Sequence, residues 1–164
     1  TDDLAANELQ DGYIYTNSGT GLGHTYKIKS HPAILGGVAG VITLLDPIRL
    51  TTPATAKATV YHNKFRGVIV TPTANTAPIV GVSIMINAAN DFGWLQTKGP
   101  CPVLTDGTII ISANVMPSDG TIGSIEHWVP ETDTANEVES MGPLGKVLVV
   151  NATGEYSLID LALE

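Results

Sequence analysis

The sequence predicts an all-β fold, an antiparallel sandwich or barrel of about ten short strands. Three observations carry this expectation. Val, Ile and Thr dominate the strand-forming set while 17 Gly and 10 Pro recur between them, a mixture suited to pleated, half-buried surface broken by tight turns. Two runs alternate with a period of two: Tyr26 and Ile28 against Lys27 and Lys29, and Val82, Ile84 and Ile86 against Ser83, Met85 and Asn87. No long window shows the 3.6-residue apolar stripe of a helix; the nearest attempt, 131–141, is short, acidic and weakly apolar and reads as a solvated loop.

Taken in order, residues 1–10 are polar and lack a strand pattern. They are expected to form an arm that orders only against a neighbour, with Asp2, Asp3, Leu4 and Leu9 touching that partner. Strands are expected over 12–17 and 24–30, joined by the hairpin loop that contains Gly19, Gly21 and Gly23, because glycine is the default where a chain turns sharply. Further strands are expected over 40–45, 57–63, 67–71, 80–87, 92–98, 108–112, 146–151 and 156–163, with 51–55 as a connector. Asp106-Gly107 and Asp119-Gly120 supply the positive φ that tight turns demand, and their similar flanks are turn chemistry, not a repeat. Phe92 and Leu95 beside Trp94 predict a core role for that indole, and Trp128 is expected to anchor an interface. With 164 residues and 43% hydrophobic content, 11–164 are expected to form a single β domain.

Charge and composition narrow the function classes. Eight basic against sixteen acidic residues give −8, which repels a phosphate backbone, so no nucleic acid partner is expected. No apolar run approaches the roughly 20 residues of a membrane span, and Thr1, Asp2 and Asp3 do not read as the start of a signal peptide; no membrane partner is expected. Cys101 is the only cysteine, so an intrachain disulfide is impossible, and its setting between Pro100 and Pro102 reads as a structural thiol.

The candidate chemistries each fail on spacing. The stretch from Gly19 to Gly23 is one residue short of a phosphate-binding P-loop, and His24 stands where lysine is needed. His24, His31, His62 and His127 are scattered singly, without metal-ligand spacing. Glu131, Asp133, Glu137 and Glu139 lack the ligand order and turn glycine of a calcium loop. Asn151-Ala152-Thr153 is formally a glycosylation sequon but reads as a strand end before the Gly154 turn. No nucleophile elbow is present. The expectation is a protein without catalytic residues, cofactor or metal.

Several stretches, in order, carry a resemblance. They are Gly21-Leu22-Gly23-His24-Thr25-Tyr26-Lys27-Ile28-Lys29 with Leu45-Asp46-Pro47-Ile48-Arg49, Gly67-Val68-Ile69-Val70-Thr71-Pro72-Thr73, and Phe92-Gly93-Trp94-Leu95-Gln96-Thr97-Lys98-Gly99-Pro100-Cys101 with Val103-Leu104-Thr105-Asp106-Gly107-Thr108. The chain closes with Gly145-Lys146-Val147-Leu148 and Glu155-Tyr156-Ser157-Leu158-Ile159-Asp160-Leu161. On these the sequence resembles small structural virion proteins of tailed bacteriophages. The resemblance implies a capsid decoration or cement protein, made in the host cytoplasm and seated as a homotrimer on the outer capsid surface between capsomers, with the major capsid protein as partner. The alternatives are a tail or fibre component and a carbohydrate-binding β-sandwich in which Trp128 and exposed tyrosines line a shallow groove.

Overall fold

The computed structural model describes residues 3–74, 76–129 and 142–163. Among them every regular element is a strand: eleven short strands paired antiparallel in three open sheets, and no helix. The all-β expectation holds. The acidic stretch 131–141, like Asp2, lies outside the described residues. The chain divides after Arg66 into two compact units, 1–66 and 67–164.

The first unit holds β1 (Tyr13–Ser18), β2 (Thr25–Ser30), β3 (Thr43–Leu44) and β4 (Lys57–Tyr61), in the order β3-β2-β1-β4. The β1–β2 hairpin turns through Gly19, Gly21 and Gly23, all at φ between 80° and 90°, where a side chain would be strained. Ile28 faces inward on β2 and is fully buried, while Lys29 beside it is exposed, the period-two pattern read from the sequence. A second fully buried side chain of this unit is not on a strand. Leu9 is 0% exposed, so the expected free arm is instead part of this unit.

The second unit is built on β7 (Lys98–Leu104), β8 (Asn114–Pro117), β9 (Ile125–His127), β10 (Gly145–Val149) and β11 (Tyr156–Ala162), in the order β7-β11-β10-β8-β9. Every second residue of β11 points inward: Ser157, Ile159 and Leu161 are buried and Asp160 is exposed. On β7, Cys101 and Val103 answer Ile159 and Ser157 in register, and with Ile109, Val115, Ile125, Leu144 and Val147 they form the core. Gly145 is required where β10 crosses β11, because an added Cβ would overlap the Asp160 carbonyl. Among the described residues the two edges of this sheet share one bridge. Thr105 bridges Ile125 in parallel and the Asp106 N–H donates to the Ile125 carbonyl at 2.8 Å, which is one bridge and not the continuous ladder of a closed barrel.

Three departures from the expected strands have physical causes. The expected strand 92–98 is displaced to β7, which carries Pro100 and Pro102; β7 is an edge strand with a ladder to β11 alone among the described residues, so a proline there interrupts no second ladder. Residues 67–71 and 108–112 are apolar but make no ladder; Ile110 and Ile111 are exposed beside Ile109, which is buried. The alternating run 80–87 is a strand only at β5 (Val82–Ser83), which pairs with β6 (Leu95–Gln96) before the chain bends away.

Candidate contact surfaces

The N-terminal segment is clasped by a histidine. His31 is buried; its Nδ1–H donates to the Pro32 carbonyl at 2.7 Å, which leaves Nε2 free to accept the Leu9 N–H at 2.9 Å. Asn7 closes the clasp: its N–H donates to the His31 carbonyl, and its side-chain oxygen accepts the His31 N–H. Leu4 exchanges two backbone bonds with Ile34, Asp3 accepts the Gly36 N–H at 2.7 Å, and Arg66 donates to the Asn7 carbonyl. Of the expected partner-binding set, Asp3, Leu4 and Leu9 therefore bind their own unit. The sequence hid this because one buried leucine among polar neighbours makes no period, and its bonds go to residues more than twenty positions away.

Trp128 follows β9 and is half-buried, with its N–H donating to the Asn114 carbonyl. Its indole Nε1 is buried and has no acceptor among the described residues. Nearby, the turn 118–121 is organised by Ser118, whose buried hydroxyl donates to Asp106 at 2.7 Å and accepts the Gly120 and Thr121 N–H groups. That hydroxyl and the Thr121 side chain hold the Asp106 carboxyl below its ordinary range. Burial, then the charge of Asp119, pushes Glu126 upward. Burial also raises the Cys101 thiol, the property of a structural cysteine.

The surface that the sequence reading missed is the loop between β5 and β6. Ile86 and Phe92 are fully exposed, Trp94 is 77% exposed, and Ile84 and Met85 are more than half exposed. The expected core position of Trp94 is thus overturned: only its neighbour Leu95 turns toward the chain. Within this loop the polar groups bond to one another. The Ser83 hydroxyl donates to the Met85 carbonyl, the Asn87 amide donates back to Ser83, and the Asn87 side chain lies where a Cβ on Gly93 would stand. A turn from Ala88 to Asp91 closes the tip. The apolar side chains are left facing water. A signal was present in the sequence: from 67 to 97 the only charged residue is Asp91.

A second surface lies on the first unit. Tyr13 and Tyr15 point outward from β1, and the register sets Tyr61 of β4 and Lys27 of β2 beside Tyr13, with Thr59 and Thr25 beside Tyr15. All three tyrosines are exposed. Around the corner, His24, Thr25, Tyr26, Asp46 and Arg49 line an open hollow of about 210 Å³, in which the Tyr26 hydroxyl accepts the Arg49 N–H. Among the described residues no three His, Cys, Asp or Glu side chains gather at metal-ligating distance, and no helix is long and apolar enough to cross a membrane. Comparison with protein-family models, with curated proteins and with solved structures finds no match to this chain.

Proposed function

We propose that this chain is a structural virion protein, a decoration or cement component that binds the major capsid protein on the outer surface between capsomers, as a homotrimer, and stabilises the shell. The observation that carries the reading is the braced loop 84–94, which fixes Ile84, Met85, Ile86, Phe92 and Trp94 toward solvent. Large exposed apolar groups on an internally bonded scaffold are the signature of a surface made to be covered by protein. Other exposed residues, Val41, Ile69 and Ile122 among them, extend the same character over both units. The resemblance to small phage virion proteins supplies the setting, and the charge of −8 suits a protein that must stay off nucleic acid during assembly. Quantitative mass spectrometry of purified particles tests this. A fixed ratio to the major capsid protein is expected; absence from particles, or presence only on tails, overturns the placement.

A carbohydrate-binding module is the second reading, favoured by one feature. Tyr13, Tyr15 and Tyr61 share one sheet face with Lys27, Thr25 and Thr59, which offers flat rings beside hydrogen-bonding groups. The relevant aromatics are these three; Trp128 is half-buried. A glycan array in which Tyr13→Ala and Tyr61→Ala abolish binding to one sugar class would promote this reading, and a blank array would retire it.

A further inference from the structure

We propose that the loop 84–94 is a self-association surface, whose occupant is the same loop and its surroundings on a second copy of this chain. The inference rests on the contact-making reading above and assigns one of its surfaces a partner. Area is the first argument. Phe92 is fully exposed and Trp94 nearly so, and an aromatic side chain carries about 150–250 Å². With Ile84, Met85 and Ile86 the loop presents on the order of 700 Å² of apolar surface, above the roughly 300–600 Å² of the largest patch on an ordinary monomer. That is close to the ~800 Å² each partner contributes to a standard stable interface.

Charge is the second argument. Two molecules at −8 repel, yet the segment 67–97 carries a single charged residue, Asp91, so two copies meet here with one like charge each, far fewer than elsewhere on the chain. The same shortage argues against a lipid surface, since no Lys or Arg lies in the segment to meet anionic headgroups. Rigidity is the third. The β5–β6 pairing fixes both legs, and the Ser83–Asn87 bonds fix the crown, so little ordering entropy opposes docking. The two residue pairs Val82↔Gln96 and Ser83↔Leu95 bring both ends of the loop together, so Ile84 and Trp94 leave the pairing from neighbouring strand ends.

Sedimentation equilibrium of the purified chain from about 1 to 100 μM tests the proposal. The wild type is expected to be a defined oligomer, and the triple variant Ile86→Ser, Phe92→Ser, Trp94→Ser to show a dissociation constant at least about 100-fold higher with unchanged far-UV circular dichroism. A control pair, Leu22→Ser with Val41→Ser, removes exposed apolar groups from the first unit and leaves the oligomer intact. A monomeric wild type overturns the proposal, as does an oligomer indifferent to the triple variant, or flotation of a monomer with phosphatidylcholine vesicles lost in that variant. A chain that is monomeric in solution but abundant in particles sinks this inference alone. An oligomer absent from particles sinks the virion reading alone.

Discussion

Replacing Leu9 by alanine tests whether the N-terminal segment belongs to the fold. Leu9 is fully buried and lies in the unit that also buries Ile28 and His31. Truncating a buried leucine costs about 2–5 kcal/mol, from lost transfer free energy plus the cavity left behind. The Leu9 N–H to His31 bond survives the change, so the loss reports packing alone. A cost near 3 kcal/mol should speed amide exchange at Asn7, Leu9 and Ile28 by about 100-fold wherever they exchange by global opening of that unit. Exchange measured by mass spectrometry is the right assay, because both tryptophans lie in 67–164 and tryptophan fluorescence has no reporter in this unit. Leu22→Ala, at an exposed position, should move exchange little, within about 0.5 kcal/mol. If Leu9→Ala were as silent as Leu22→Ala, the segment would be an arm standing off the fold, and the histidine clasp would be wrong.

Further outcomes follow from side-chain positions. Trp94→Ala should change the stability of the isolated chain by less than about 1 kcal/mol, since the indole is largely exposed, and urea titration would show it; a loss of 3 kcal/mol or more would return Trp94 to a core. Ser118→Ala should cost about 1–3 kcal/mol by the same titration, because the buried hydroxyl satisfies two backbone N–H groups and one carboxylate, and a neutral result would mean water replaces it freely. Glu126 is pushed upward in the fold, so it favours folding while protonated and loses that contribution as pH rises through its folded-state value. Glu126→Gln should therefore raise the melting temperature at pH 7 and confer no gain at pH 3; an equal gain at both would rule out the carboxyl as its source. Asp106 runs the other way, held low by Ser118 and Thr121, and its contribution is lost as pH falls through its depressed value.

Much of the scaffold was legible because a half-buried strand must alternate. The inward Ile28 of β2 declares itself by period, the strands β10 and β11 by their apolar, β-branched composition, and the glycines of the β1–β2 loop by the conformations they permit. β7 was not legible: prolines at two outward positions look like breaks until the strand is known to be an edge. The contact surface was misread for a deeper reason. Alternation in 80–87 marks a strand that the structure keeps only at Val82–Ser83; period does not say whether the chain itself covers an apolar side chain, and here Ile84, Met85 and Ile86 are left open. The apolar neighbours Phe92 and Leu95 point Trp94 toward a core, whereas the scarcity of charge from 67 to 97 is the better guide. The clasp at His31 was beyond reach because its partners are set by backbone bonds across more than twenty residues.

Hydroxyl-radical footprinting of Met85, Phe92 and Trp94, read by mass spectrometry in free chain at nanomolar concentration and in intact particles, bears most directly on the contact-making account. The account predicts strong labelling of all three in the free chain and near-complete protection in particles. Equal labelling in both states would contradict it, because a surface that stays open at its place of work is not what joins this protein to another.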